Sequence, residues 1–334
     1  MANFIAGGIP HTGTGMKERF AGAIVALGAI VAYGLLACGT QDAQTLLSDG
    51  RLALERGDTS AATKSLEEAI DLDPTSVEAY RLLAQASALL NDLPEVVLHA
   101  TRGIAVTGDD AELLYLRGAA NVRMSEYAHA LVDLNRALAA DPDHAYARLL
   151  RGESLAALGD GTSALRDADQ LISSTKEDDL LRGALLLRGR VNFDIGDDEA
   201  GLADFSRLVD LAPADPDIRM TRAQGFANLG RFEEALVDLE VVRDLVPDNP
   251  YPYLAMAQVY LSQDRLAEAR EALDAASVRM PDGAQLRLLR GQYAARAGDV
   301  NLAKQDLQAA IQLAGEGSDI AAQAERILAQ LTGG

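Results

Sequence analysis

Residues 216–249 read PDIRMTRAQGFANLGRFEEALVDLEVVRDLVPDN, and residues 250–283 read PYPYLAMAQVYLSQDRLAEAREALDAASVRMPDG. Set one above the other, these 34-residue stretches agree in where small, large and helix-stopping residues fall. Pro213, Pro247 and Pro281 stand 34 residues apart. Pro74 to Pro142 spans 68 residues, two periods, and Pro142 to Pro213 spans 71, two periods plus three. With proline as position 32, eight repeats start at residues 43, 77, 111, 145, 182, 216, 250 and 284.

Position 8 is Gly or Ala in every repeat, and so is position 20 except for Val96. Two antiparallel helices crossing at these points need small residues, because a larger side chain would push the axes apart. Large apolar residues at position 24 (Leu66, Leu134, Phe205, Leu239, Leu273, Leu307) are expected to fill the space between neighbouring layers. Gly57-Asp58, Gly159-Asp160, Gly196-Asp197 and Gly298-Asp299 fall between the two helices of their repeats, where glycine ends a helix in the left-handed conformation. The prolines then stop the second helix, lacking an amide donor and biasing their predecessors away from helix.

In period, small-residue register and turns, residues 43–315 resemble the tetratricopeptide-repeat (TPR) family. The resemblance implies an all-α, right-handed solenoid of helical hairpins, about eight repeats long. Residues 316–334 hold the segment SDIAAQAERILAQL (318–331), which has the form of a helix capping the last repeat. Repeat 2, with Val96 and with Gly108 in place of proline, and repeat 4, followed by Lys176-Glu177-Asp178-Asp179, depart from the pattern and are expected to be the most deformable joints.

Position 7, usually apolar in the family, is arginine in five repeats, and position 23 is aspartate in the same five. The matched pairs are Arg117 with Asp133, Arg151 with Asp167, Arg188 with Asp204, Arg222 with Asp238 and Arg290 with Asp306. A planar guanidinium can bond a carboxylate at two points, so each pair is expected to tie the two helices of its repeat; the alternative is a row of anion-binding arginines. The family resemblance also implies that the first helix of each repeat lines a concave groove through positions 2, 5, 9, 12 and 13. Those positions hold Tyr115, Tyr146, Leu149, Leu186, Arg190, Phe193, Met220, Tyr251, Leu254 and Leu261, with Leu288 in the same register. Apolar and aromatic side chains along one strip suit a protein or peptide segment as ligand.

Ahead of the repeats, residues 17–38 run KERFAGAIVALGAIVAYGLLAC: two cations, an uncharged apolar run, then small residues before a cysteine. That order is a secretory signal. Leu35-Leu36-Ala37-Cys38 resembles the bacterial lipobox, which implies a leader over 1–37, lipid attachment at Cys38 and a short tether over 38–42. The alternative is an uncleaved transmembrane helix, although 18 apolar residues are fewer than the roughly 20 of a comfortable span. Residues 1–15 carry no Asp, Glu, Lys or Arg, which points to Met16 as the translation start.

A formal net charge of −20 argues against nucleic acid or anionic lipid as partner, since both require a basic surface. One cysteine excludes an intrachain disulfide and a multi-thiolate zinc site. His99, His129 and His144 occupy repeat positions 23, 19 and 34, so they share no metal-binding helix face. There is no G-x-S-x-G elbow and no dinucleotide fingerprint. The expectation is a non-enzymatic, cofactor-free and metal-free TPR lipoprotein, anchored to a bacterial envelope membrane and facing the periplasm. It would assist assembly of a pilus, secretion or polysaccharide-export machine, with an uncleaved membrane adaptor or a saccharide-binding solenoid as alternatives.

Overall fold

The computed structural model describes residues 42–315 and 317–332, and every regular element among them is an α-helix. The leader, Cys38 and the start of the tether lie outside the described residues. The helices are α1 (42–55), α2 (Thr59–Leu72), α3 (Val77–Leu89), α4 (Leu93–Thr107), α5 (Ala111–Arg123), α6 (Tyr127–Ala140), α7 (Ala145–Ala157), α8 (Gly161–Ser174) and α9 (Asp178–Asp194). They continue as α10 (Asp198–Leu211), α11 (Pro216–Asn228), α12 (Phe232–Leu245), α13 (Tyr251–Ser262), α14 (Leu266–Arg279), α15 (Ala284–Arg296), α16 (Val300–Ala314) and α17 (Asp319–Thr332). The chain is an all-α solenoid of consecutive hairpins, an odd-numbered helix followed by an even-numbered one.

The hairpin turns repeat one piece of backbone chemistry. Position 15 has positive φ in all eight hairpins: glycine at Gly57, Gly159, Gly196, Gly230 and Gly298, but Asn91 (φ 59°), Ser125 (φ 62°) and Asp264 (φ 58°) in the others. The next amide reaches back across the turn, as in Glu126 N–H to the Asn121 carbonyl (2.8 Å) and Asp197 N–H to the Asn192 carbonyl (2.8 Å). This backbone bond closes the last turn of the first helix. Aspartate then caps the second helix where present: Asp58 accepts from Ala61 N–H at 3.0 Å, Asp160 from Ser163 N–H at 3.1 Å, and Asp299 from Leu302 N–H at 3.0 Å.

The position-8 glycines are small because the position-24 side chain of their own hairpin sits on them. A Cβ at Gly50 would lie 2.6 Å from Leu66 Cγ, at Gly118 2.9 Å from Leu134 Cγ, and at Gly291 2.6 Å from Leu307 Cγ. The position-24 residues therefore pack first within the hairpin, where the sequence reading had set them between layers. The helix crossing is close enough for a leucine to cover the opposing backbone.

The chain divides into two compact units at Ser154/Leu155, inside α7. In the first, α2 to α6 pack each on the next, and Leu66, Leu83, Leu113, Leu114 and Leu134 are fully buried. In the second, α8 to α17 do the same, with Phe205, Leu208, Leu239 and Leu286 at the centre of the packing. The charged insertion enters α9 as its first turn, Glu177 standing at the N-cap and Asp178 and Asp179 inside the helix, where carboxylates suit the positive end of the helix dipole. The last helix, α17, packs on α15 and α16 and buries Ala321 and Ala324. No helix among the described residues is long and apolar enough to cross a membrane.

Candidate functional site

Three of the arginine and aspartate pairs meet through two parallel hydrogen bonds. Arg117 donates to Asp133 from Nε and Nη2, both at 2.7 Å. Arg188 does so to Asp204 at 2.8 and 2.6 Å, and Arg222 to Asp238 at 2.7 and 2.8 Å. Each carboxylate is buried on the second helix and each guanidinium comes from the first, so the pair spans the hairpin. In α15–α16 the geometry is different: Arg290 Nε stands 3.3 Å from Asp306 Oδ2 without a hydrogen bond, while Arg287 Nη1 donates to Oδ1 at 2.8 Å. Arg151 lies on α7 in the first unit and Asp167 on α8 in the second. Within its own unit, Arg151 Nη1 donates to Asn135 Oδ1 at 3.2 Å.

A second arginine was missed by the sequence reading. Position 4 is Arg219 in α11 and Arg287 in α15, one helical turn before the position-7 arginine, and each reaches the same aspartate. Asp238 thus accepts from Arg219 at 2.7 Å as well as from Arg222. The i, i+3 spacing of these arginines was the available signal.

In the first unit, the groove-register residues form a polar and aromatic cluster. Tyr115 is half-buried and Tyr146 is 45% exposed, with Leu149 half-buried on α7. The His144 ring lies 4.6 Å from that of Tyr115. His144 Nδ1 accepts the Ala147 amide at 3.2 Å, capping α7, which leaves Nε2 to face Glu112, 3.6 Å from Oε2. Gln85 Nε2 donates to the other Glu112 oxygen at 3.3 Å. The His144 contact, with help from Gln85, holds the Glu112 carboxyl below its ordinary range. Arg81 meets Asp110 through both Nε (3.1 Å) and Nη2. Repeat position alone separates His144 from the other histidines and gives it no role; the structure makes it both a helix cap and a neighbour of Glu112.

In the second unit the groove register divides. Tyr251 is 60% exposed and Arg190 is exposed, while Leu186 and Met220 are half-buried. Leu254 (4%), Leu261 (3%) and Leu288 (1%) are buried, which corrects their placement on an open groove. They sit at positions 5 and 12 of their repeats and belong to the packed core, Leu254 and Leu261 in one cluster and Leu288 with Leu307 and Ala324 in another. Phe193 is also a packing residue. It stacks on Phe205 at 5.3 Å, and its ring fills the space that a Cβ at Gly201 or Gly225 would occupy, each 2.6 Å away.

What stays open is a recess of about 140 Å³ between α11 and α13, floored by Ala223, Leu239 and Val259 and rimmed by Met220, Gln224, Asn228, Gln258 and Ser262. Gln224 Nε2 donates to Asn228 Oδ1 at 2.8 Å. Side-chain amides over an apolar floor can donate to and accept from an extended main chain at once. Among the described residues no group of three or more His, Cys, Asp or Glu could hold a metal ion.

Hairpins of constant length, a small-residue crossing and an open strip on the first helices define the class of repeat-built α-helical scaffolds. Family models described as tetratricopeptide repeat match residues 47–95, 105–178 and 226–293, more than half of the chain. The chain belongs to the tetratricopeptide-repeat family. No curated protein matches it. Among solved structures, it is similar to the C-terminal part of a TPR repeat-containing protein from Cytophaga hutchinsonii, with TM-score 0.58, 14% identity, and 73% of this chain and 98% of that one covered. The APC/C hetero-tetramer Cut9–Hcn1 matches with TM-score 0.56 at 13% identity, over 86% of this chain and 55% of that one. A tetratricopeptide repeat protein from Parabacteroides merdae matches at 17% identity and TM-score 0.41, over 85% of this chain and 98% of that one. The first two likenesses speak to the fold alone. TPR repeats bind protein partners and are characteristically non-catalytic, which makes the chain a protein-interaction scaffold.

Proposed function

We propose that this scaffold is a membrane-anchored lipoprotein of a bacterial envelope, which holds partner segments on the first helices of its hairpins while a pilus, secretion or polysaccharide-export machine is assembled. The amide-rimmed recess between α11 and α13 carries the binding half of the reading, because Gln224, Asn228, Gln258 and Ser262 offer paired donors and acceptors over an apolar floor. The sequence Leu35-Leu36-Ala37-Cys38 supports the anchoring half. With acyl chains on Cys38, each buried methylene contributes about 0.8 kcal/mol to membrane attachment, and several chains together give a durable anchor.

Photo-crosslinkers placed at Gln224 and Gln258 in the full chain are expected to capture a protein partner in native membranes, whereas one at Val278, 82% exposed on α14, captures little. Equal capture from all three sites, or polysaccharide retained in place of protein, overturns the binding assignment. Mass spectrometry of the mature N-terminus tests the anchor separately. A peptide containing intact residues 20–37 refutes lipoprotein processing and favours the uncleaved single-pass reading, for which the 18-residue apolar run is short.

A further inference from the structure

The hairpin α13–α14 breaks the ion-pair ladder. Where α11–α12 has Arg219, Arg222 and Asp238 in contact, and α15–α16 has Arg287, Arg290 and Asp306, the corresponding positions 4, 7 and 23 of α13–α14 hold Tyr253, Met256 and Ala272. Buried Met256 and Ala272 hold that place with apolar side chains in the stead of a guanidinium and a carboxylate. A recess of about 220 Å³ stands there, with Met256 and Ala272 lining it beside Tyr253 and Tyr260. Glu240, Glu268 and Glu271 complete the wall.

The chemistry of the wall is complementary to a cation. Glu240 and Glu271 carry no ion pair among the described residues, and Glu268 is held by Arg265 at 2.8 Å. The one lining cation, Arg243, has its Nε on Asp244 at 2.9 Å. Burial, joined by the Glu240 and Glu268 charges, raises the Tyr260 phenol above its ordinary range against the pull of Arg265 and Arg243. Both rings already carry a guanidinium of the chain itself: Arg279 lies 4.2 Å from the Tyr253 centroid and Arg265 4.6 Å from that of Tyr260. Neither of those arginines lines the recess. A planar, weakly hydrated guanidinium can stack on tyrosine and bond carboxylates in its plane, which a compact ammonium cannot do together.

We propose that this gap in the ladder is a socket for an arginine side chain of a partner protein, which supplies in trans the guanidinium that the neighbouring hairpins supply themselves. The socket uses Tyr253, Met256 and Tyr260, a different face of α13 from Ala255, Gln258 and Val259 of the amide-rimmed recess. The inference therefore goes beyond the scaffold reading, and either can fail alone.

The test is a titration of the full chain with Nα-acetyl-arginine amide, followed by the backbone amide resonances of Tyr253 and Ala275. Nα-acetyl-citrulline amide serves as the uncharged isostere and Nα-acetyl-lysine amide as the ammonium control. Saturable shifts are expected with the arginine probe and not with citrulline, weakened about tenfold in the Glu240→Gln/Glu271→Gln double variant, whose substitutions lie on the exposed wall. The Met256→Arg/Ala272→Asp variant rebuilds the ladder pair from within and is expected to abolish binding. Equal shifts with citrulline, lysine binding as tight as arginine, or unchanged binding in the two-glutamate variant overturns the proposal. So does binding that persists in a folded Met256→Arg/Ala272→Asp variant.

Discussion

At the level of single residues, the turn at position 15 shows how one conformation is imposed on unlike side chains. Ser125 takes φ 62° in the place where Gly196 takes φ 83°, and its amide donates to the Val122 carbonyl at 2.9 Å. Left-handed backbone costs a non-glycine residue roughly 1–2 kcal/mol, part of which glycine forfeits through a freer unfolded chain. Ser125→Gly is expected to raise stability by about 0.5–1 kcal/mol, and Gly196→Ala to lower it by about 1 kcal/mol, read as shifts of the urea midpoint at constant slope. His99 makes a different case. It takes the position-23 place of the ladder aspartates, it is buried, and its Nδ1 has no hydrogen-bond partner among the described residues. Burial lowers its pKa below the ordinary histidine value, outweighing the pull of Glu95, 3.3 Å from Nε2. The neutral ring is therefore the one that folds, and its contribution is whole above the unfolded-state pKa of about 6.5 and lost as pH falls through the lower folded value. Urea titrations at about pH 7.5 and about pH 5.5 should show a loss of stability in the native chain that His99→Gln removes; an unchanged pH dependence would falsify this assignment.

At the level of helices, the ladder separates what spacing can tell from what it cannot. Arg222 and Asp238 stand 16 residues apart in a 34-residue period, and matched occurrence across hairpins was enough to couple them. Arginine at position 4 recurs in only three of the five repeats that carry the pair, as Arg148, Arg219 and Arg287, so matched occurrence does not couple it to the aspartate in the same way. The groove was legible by halves for a geometric reason. Positions 2 and 9, as in Tyr251 and Arg190, are exposed, whereas positions 5 and 12, as in Leu254 and Leu261, are buried in the packing. Helical periodicity finds an apolar face but does not say whether water or another helix covers it. Because Asp238 is buried beneath two guanidinium groups whose side chains are 14% and 17% exposed, Asp238→Ala should cost about 3 kcal/mol. Arg222→Met leaves Arg219 in place and should cost about 1 kcal/mol. Equal losses in the two variants, measured by urea unfolding, would show that the second arginine does not share the carboxylate. Close packing gives a further test, since Gly118→Val drives a branched side chain into Leu134 Cγ, 2.9 Å from the new Cβ, and should cost about 1–3 kcal/mol by the same measurement.

At the level of the whole molecule, a repeat array is stable only where each hairpin has something to lean on, so its ends matter more than its middle. The α17 helix is the cover at one end. Leu288, Leu307 and Ala310 are buried with Ala324, and Ile311, Ile320, Ile327, Leu328 and Leu331 pack around them. Deleting residues 319–332 removes four of those apolar side chains together with Ala324, and returns the outer surface of α15 and α16 to water. At about 25 cal/mol per Å² of apolar area, losing even two leucine-sized contacts costs about 3–5 kcal/mol, a large part of the stability of a hairpin pair. Since interactions in such an array run between neighbours, the loss should fall off along the chain. Amide hydrogen exchange is expected to accelerate strongly in α15 and α16, less in α13, and not at all in α5 and α6. Adding Ile311→Gln to the truncated chain should recover solubility without recovering protection, because it makes the bared surface polar but restores no packing. Uniform acceleration across all helices would mean instead that the array unfolds as one cooperative body, and the nearest-neighbour account of its stability would then be wrong.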